Sequence, residues 1–248
     1  MKLSDQVVLI TGATGQIGRA LVTDLASDAQ RVLAVDLAAG PAHGQPVPDN
    51  VAGYTCDLAD HVAVERLAAS LADNEPAVTV VVNCAGRIHS EPAVKLLSDG
   101  RGHHEPDSWR DTIAANLDTT FNVGVCFAEQ MVRGRRPGVI VNISSVAAAG
   151  NAGQSAYSAA KAAVNALTVT WAKELGGHGI RCVAVAPGFM DTETTRTSLS
   201  EKHIDRWVKT TPLRRMGTID DVTSAVRFAI ENDFYSGRVI ELDGGLRL

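Results

Sequence analysis

Short runs of β-branched and other apolar residues recur along the chain, separated by longer stretches in which apolar positions fall three and four apart. The runs lie at 7–11, 31–36, 52–56, 79–83, 139–143, 180–186 and 239–242. Several are apolar at every position, which predicts strands covered by helices on both sides. The intervening periodic stretches predict helices at 16–27, 61–73, 107–133, 154–175 and 219–231. Strand and helix therefore alternate, the pattern of repeated βαβ units. It predicts an α/β fold, one doubly wound domain over residues 1–248, with a seven-stranded, mainly parallel sheet flanked by helices.

Two stretches break the alternation. Residues 87–106, with Pro92, Gly100, Gly102, His103, His104 and Pro106, form a long connection after the fourth strand. Residues 187–212 open on Pro187-Gly188 after the sixth strand and are rich in Thr. Both follow carboxyl ends of strands, where open α/β sheets bind ligands, so both are candidate substrate lids. There is no internal repeat and no Pro/Ser-rich linker.

Composition narrows the class. The chain is 45% hydrophobic and 21% charged, as expected of a soluble globular protein. A formal net charge of -5 argues against a nucleic-acid partner, and Arg133, Arg135 and Arg136 read as a solvated helix end. Cys56, Cys84, Cys126 and Cys182 lack metal-ligand or disulfide-framework spacing, which predicts no metal and a reducing, cytoplasmic compartment. The chain reaches an apolar strand by Val7 and a glycine turn at Gly12, so no cleaved leader is expected. No apolar run approaches the roughly 18 residues of a membrane span.

Chemistry concentrates at strand ends. Thr11-Gly12-Ala13-Thr14-Gly15-Gln16-Ile17-Gly18 follows the first strand and opens a helix. Such a turn lets the backbone approach a pyrophosphate at a helix N-terminus, the signature of a Rossmann-type nucleotide site. Asp36 ends the second strand, where an acidic side chain meets ribose hydroxyls, although a capping or turn aspartate would also fit. Its carboxylate would repel a 2′-phosphate, and Leu37 and Ala38 follow it without a cation, so NAD is expected over NADP. Arg19 is the one nearby cation, with a helix-surface role as the alternative. Tyr157 and Lys161 share one face of a helix, an arrangement in which an ammonium can favour phenolate, but one that also occurs as a surface pair. Ser144 ends the fifth strand, and the loop through Gly150, Asn151 and Gly153 returns the chain to Tyr157.

The glycine turn, Asp57, Asn83-Cys84-Ala85-Gly86, Asn116, Ser144, Tyr157-Ser158-Ala159-Ala160-Lys161, Pro187-Gly188 and Asp243-Gly244-Gly245 stand in the order of one known family. In this the chain resembles the short-chain dehydrogenase/reductases along essentially its full length. The resemblance implies an oxidoreductase in which Tyr157 exchanges a proton with a carbonyl or alcohol substrate and Ser144 orients the reacting oxygen. Lys161 would hold the nicotinamide ribose and lower the tyrosine pKa, and Asn116 would anchor a water relay to Lys161. Ser145 is the rival for the serine role, and the family's serine-to-tyrosine spacing favours Ser144. Cofactor contacts are implied at Gly12, Thr14, Gln16, Ile17, Asp36, Asp57, Leu58, Asn83, Ala85, Gly86, Tyr157, Lys161, Pro187, Gly188 and Thr192.

The glycine turn departs from the family's usual form, with Gln16 where glycine is common and a glycine one place earlier, at Gly15. The tail from Ile230 to Leu248, which includes Arg247, is similar to that of type 2 3-hydroxyacyl-CoA dehydrogenases. Competing readings are a 3-oxoacyl carrier-protein reductase, another ketoreductase acting on a sugar, steroid or polyketide, and a catalytically idle dinucleotide sensor. Phe189 and Met190 are candidates for an apolar substrate wall or for ordinary packing. Relatives commonly assemble through their long helices, so a homotetramer is expected from the resemblance.

Overall fold

Seven parallel strands run side by side in a computed structural model that describes residues 1–37, 48–95, 102–198 and 200–246. Ala38, Gly100, Arg247 and Leu248 lie outside the described residues. The strands are β1 (Val7–Thr11), β2 (Arg31–Asp36), β3 (Val51–Thr55), β4 (Val80–Asn83), β5 (Gly138–Ile143), β6 (Ile180–Pro187) and β7 (Arg238–Leu242). Their order is β3-β2-β1-β4-β5-β6-β7, and every ladder among the described residues is parallel. The expected sheet is therefore present, wholly rather than mainly parallel.

Period-two alternation sends each strand's side chains to two separate cores. Val8, Ile10, Val80, Val82 and Val141 face α1 (Gln16–Ala26) and α8 (Ile219–Glu231), meeting Leu21, Leu25, Val222, Val226 and Ile230. Val7, Leu9, Leu33, Val81 and Ile140 face the other way, toward α2 (His61–Asn74), α4 (Thr119–Arg133) and α5 (Ser155–Leu175). There Val64, Leu71, Phe127, Met131 and Trp171 close the core. Each large side chain so buried contributes about 1.5–3 kcal/mol, so these two layers hold the sheet. The C-terminal end of α8 is tied to the sheet by Arg181, whose guanidinium donates to the carbonyls of Ala229, Ile230 and Tyr235 at 2.6–3.1 Å.

The helix expected at 107–133 is divided. Pro106 starts α3 (Pro106–Ile113), a π-helical segment follows at Ala114–Asp118, and α4 then continues. The wider turn carries Asn116, whose side chain donates to the carbonyls of Arg87 and Thr112 at 2.9 Å each. In the stretch 187–212 two helices form that the periodicity did not predict, α6 (Glu193–Ser198) and α7 (Glu201–Thr210). Ile204, Trp207 and Val208 give α7 its apolar stripe, but a single turn's worth of spacing after a Thr-rich run is too short a signal to stand out.

The chain leaves β1 toward β2 and β3 on one side, then returns to β4 on the other. A crevice opens at that switch point, beyond the strands' carboxyl ends. Beneath it a buried polar chain joins three elements. Asn83 Nδ2 donates to Asn142 Oδ1 at 2.9 Å, Asn142 Nδ2 donates to Thr168 Oγ1 at 2.9 Å, and Thr168 donates to the Val164 carbonyl. Replacing Thr168 by Val leaves the Asn142 amide without its acceptor, a loss of about 1–3 kcal/mol. Urea unfolding is expected to show a lower midpoint with unchanged slope for Thr168→Val and near-normal stability for Thr168→Ser; equal stability of the two variants would refute the assignment.

Candidate active site

A cleft of about 760 Å³ occupies the switch point. At one end the backbone comes very close to itself. Gly12 has φ +66°, and a Cβ there would stand 2.7 Å from Ala85 Cα; a Cβ on Gly18 would stand 2.0 Å from the Gly12 carbonyl oxygen. Only glycine fits either place. Thr11 Oγ1 accepts from the N–H groups of both Cys84 and Ala85, pinning the turn after β4 to the turn after β1. Asp36 reaches across from β2, its carboxylate accepting from Thr14 N–H at 2.9 Å and Thr14 Oγ1 at 2.7 Å, while its second oxygen accepts from Leu37 N–H. Gly15 is the N-cap of α1 and Gln16 its first residue, and both line the cleft. Arg19 is exposed and does not line it.

Most of the expected cofactor residues also line this cleft: Thr14, Ile17, Asp57, Leu58, Gly86, Pro187, Gly188 and Thr192 among them. Asn83 does not. Its side chain turns into the sheet toward Asn142, and of the Asn83–Gly86 turn only Cys84, Ala85 and Gly86 line the cleft. Burial pushes the Cys84 thiol up to about 12, which keeps it neutral.

At the other end stand Tyr157, Lys161, Asn116 and two serines. Tyr157 and Lys161 sit one turn apart on α5, both buried, with Lys161 Nζ 5.7 Å from the phenol ring centre. Lys161 donates to the Ile143 carbonyl at 2.9 Å, and burial lowers its pKa to about 8. Burial pushes the Tyr157 phenol up, and a hydrogen bond with the Ser145 hydroxyl pulls it partly back.

The serines divide differently from the expectation. Ser144 is buried, its hydroxyl donating to the Lys161 carbonyl at 3.2 Å and its N–H to the Val185 carbonyl at 2.7 Å. Ser145 is half-buried, caps the short 3-10 turn Val146–Ala149 through Ala147 N–H, and is the serine hydrogen-bonded to Tyr157. The hydroxyl beside the phenol is thus Ser145, because an extended strand points adjacent side chains opposite ways. Its place as the cap of the turn after β5 was the signal available in the sequence. Asn116 Oδ1 is buried without a partner among the described residues and lies against Gly86, on the side from which Lys161 Nζ approaches.

A second group lies in the connection after β4, outside the residues that line the cleft. His89, Glu91 and His104 converge there, with Lys95 2.6 Å from Glu91. Lys95 and His89, with the Glu105 N–H, hold the Glu91 carboxyl down to about 2. Only His104 of these stood out in the sequence, as part of an irregular loop.

A family model for short chain dehydrogenases matches residues 6–203. A 3-oxoacyl-acyl-carrier-protein reductase of Thermotoga maritima is 34% identical, covering 99% of each chain. A human (3R)-3-hydroxyacyl-CoA dehydrogenase is also 34% identical, over 99% of this chain and 97% of its own. Among solved structures, a gluconate 5-dehydrogenase from Burkholderia cenocepacia, in complex with NADP and tartrate, superposes with a TM-score of 0.87 at 29% identity, over 99% of this chain and 96% of that one.

Lys161 carries a pH signature. Its pKa is about 8 in the folded chain against an ordinary 10.5, so at neutral pH both states are protonated and the burial penalty is present in full. Between those values the unfolded chain keeps a proton that the folded chain has released, and stability rises with pH. Relative to Lys161→Met, the protein is expected to gain about 3 kcal/mol of unfolding free energy across that window, at about 1.4 kcal/mol per pKa unit. Urea titrations of both proteins at several pH values check this, and a pH-independent difference would exclude a buried ammonium.

Proposed function

This chain belongs to the short chain dehydrogenase family, and we propose that it interconverts a secondary alcohol and a ketone by hydride transfer with NAD, on a 3-hydroxyacyl thioester. One observation carries the reading: a buried tyrosine hydroxyl, bonded to Ser145 and stacked over Lys161, faces the same cleft as the Gly12–Gly18 turn and the Asp36 carboxylate.

The residues fit a dinucleotide. The two glycines leave a backbone cradle that any Cβ would fill, beside the first N–H groups of α1, where a pyrophosphate is favoured. Asp36 stands where ribose hydroxyls would be received, already aimed by Thr14. A 2′-phosphate about 4 Å from that carboxylate would add repulsion of roughly 1 kcal/mol in water and about 4 at an effective dielectric of 20, which favours NAD.

When bound, the nicotinamide supplies the hydride acceptor or donor and, oxidised, a positive charge that favours phenolate. The chain's own residues handle the proton. Ser145 and Tyr157 together hold the substrate oxygen, and Tyr157 takes its proton on oxidation or returns one on reduction. Lys161 adds positive charge beneath the phenol, and Asn116 Oδ1 offers an acceptor for the path by which that proton is replaced. Ser144 acts indirectly, holding α5 against β5.

Ile88, Val146, Phe189 and Met190 line the cleft mouth and suit an acyl chain. The two curated relatives described above, by name, act on 3-oxoacyl and 3-hydroxyacyl groups. Reduction of a carrier-bound 3-oxoacyl group is the second reading, favoured by the equal identity of the reductase relative. We place the enzyme in the cytoplasm, consistent with four free thiols, and as a homotetramer built on α4 and α5, where Phe121 is exposed beside Trp171.

A screen of NADH- and NADPH-linked turnover against 3-oxoacyl thioesters, cyclic ketones, hydroxysteroids and keto-sugars tests the reading. NADPH preference would move the assignment to the carrier-protein reductases. With a substrate in hand, Tyr157→Phe and Ser145→Ala are each expected to lower kcat/KM by about 100-fold or more, while Ser144→Ala keeps most of it. Full turnover by Tyr157→Phe would end the proposed mechanism. Asp36→Ala is expected to narrow the preference for NADH by about tenfold or more, the worth of some 1.4 kcal/mol of repulsion.

A further inference from the structure

The connection after β4 is a hairpin at its base and is fastened to the active-site helix. Val94 bridges His103 antiparallel, Lys95 N–H donates to the Gly102 carbonyl at 2.9 Å, and His104 N–H donates to the Ala93 carbonyl at 3.1 Å. Glu91 N–H donates to the Gly153 carbonyl at 2.7 Å and Gln154 Nε2 to Ser90 Oγ at 3.1 Å, three residues before Tyr157. Three side chains meet at this junction. His89 Nε2 lies 3.1 Å from Glu91 Oε2, and His104 Nδ1 lies 3.4 Å from the same oxygen. The ligand atoms offered by His89, Glu91 and His104 all lie within 4.8 Å of one another.

We propose that His89, Glu91 and His104 form a binding site for a divalent transition metal of the zinc class, which cross-links the two arms of the hairpin beside the start of α5. Two imidazoles and one carboxylate are a donor set that zinc accepts, leaving a fourth position for water. The arrangement is built rather than incidental. Glu91 has only 7% of its surface exposed, and its two oxygens have separate duties. Oε1 accepts from Lys95 Nζ at 2.6 Å and Glu105 N–H at 3.0 Å, which fixes the carboxylate plane and leaves Oε2 aimed at both imidazoles. His104 is held further by edge contacts with the rings of His89 and Trp109.

Two features set the terms of binding. His104 Nδ1 also lies 3.0 Å from the Glu105 carbonyl, which can only accept from it, so ligation at Nδ1 must displace that proton and hydrogen bond and leave the ring's remaining proton on Nε2. Lys95 shares the carboxylate with the metal, and its positive charge weakens the site by repulsion. The site thus behaves as a moderate-affinity clamp with a built-in competitor. It is separate from hydride transfer, since it uses no residue assigned to that chemistry.

The test uses the full chain after treatment with a chelator. Zinc chloride titration by calorimetry, and cobalt(II) titration read by visible absorption, are expected to give one metal per chain with low-coordinate cobalt bands. His89→Gln and His104→Gln are each expected to weaken binding by about 100-fold, the share of one ligand in a structural zinc site. Lys95→Gln is expected to strengthen it, a change that loss of structure would not produce. Zinc should also slow backbone amide exchange at Glu91 and His104 in the unmutated chain. Thermal melts establish folding of each variant; His89, 36% exposed at its side chain, carries the test if His104→Gln unfolds. No stoichiometric binding, or binding indifferent to His89→Gln and His104→Gln, overturns the proposal, the latter by assigning the metal to the buried thiols.

Discussion

The close approach of backbone to backbone at the end of β1 is the constraint from which the rest of the site follows. Gly18 rests on the Gly12 carbonyl, and Gly12 rests on Ala85, with no room for a side chain at either contact. This packs α1 tightly onto the sheet and brings the turn after β4 against the turn after β1. Thr11 then satisfies two N–H groups of that second turn with one hydroxyl. The same contacts that close the structure leave the first N–H groups of α1 facing an open crevice. Anion affinity and tight packing are thus two results of one geometry.

On the other side of the switch point, stability and chemistry pull in opposite directions. The ammonium of Lys161 is buried beneath the cleft, with the Ile143 carbonyl as acceptor. Such a group disfavours folding, and it persists because the surrounding elements fix it there. The Asn83-Asn142-Thr168 chain and the Ser144 bond to Lys161's carbonyl tie β4, β5 and α5 together around it. A polar network inside an otherwise apolar sandwich holds one register, because any slip would leave its donors unpaired. The site's precision therefore comes from residues that never touch a ligand.

How much of this was legible in the sequence depended on whether the signal was local. Strand and helix existence, the glycine turn, Asp36 and the Tyr157-Lys161 pair all write themselves into spacing along the chain. The π-helical break at Ala114–Asp118 did not, because it answers to the Arg87 carbonyl, far away in sequence. The places of Asn83 and Ser144 were not legible for a related reason. Asn83 turns to Asn142, and Ser144, although it lines the cleft, directs its hydroxyl to the Lys161 carbonyl, which leaves Ser145 beside the phenol. Only the strand's true boundary tells this. The helices α6 and α7 were too short to show a period, and the convergence of His89, Glu91 and His104 is made by a hairpin no local pattern announces.

The two irregular stretches differ in how they are held, and that difference bears on selectivity. The flap after β4 is fastened by polar contacts: backbone hydrogen bonds to Gly153 and the Glu91 ion pairs. The lid after β6 is fastened to the body by backbone hydrogen bonds, Gly188 N–H to the Leu242 carbonyl and a pair between Phe189, Asp191 and Gly217, while the Phe189 ring stacked on Trp207 at 3.6 Å holds the lid to itself. Both stand on carboxyl ends of strands and contribute residues to the same cleft. Among the described residues neither contributes to the two sheet cores beyond Met190, so each can change sequence without unfolding the sheet. On the proposed reading the proton chemistry is accordingly set by the buried layer, while the choice of substrate is left to two elements that tolerate revision.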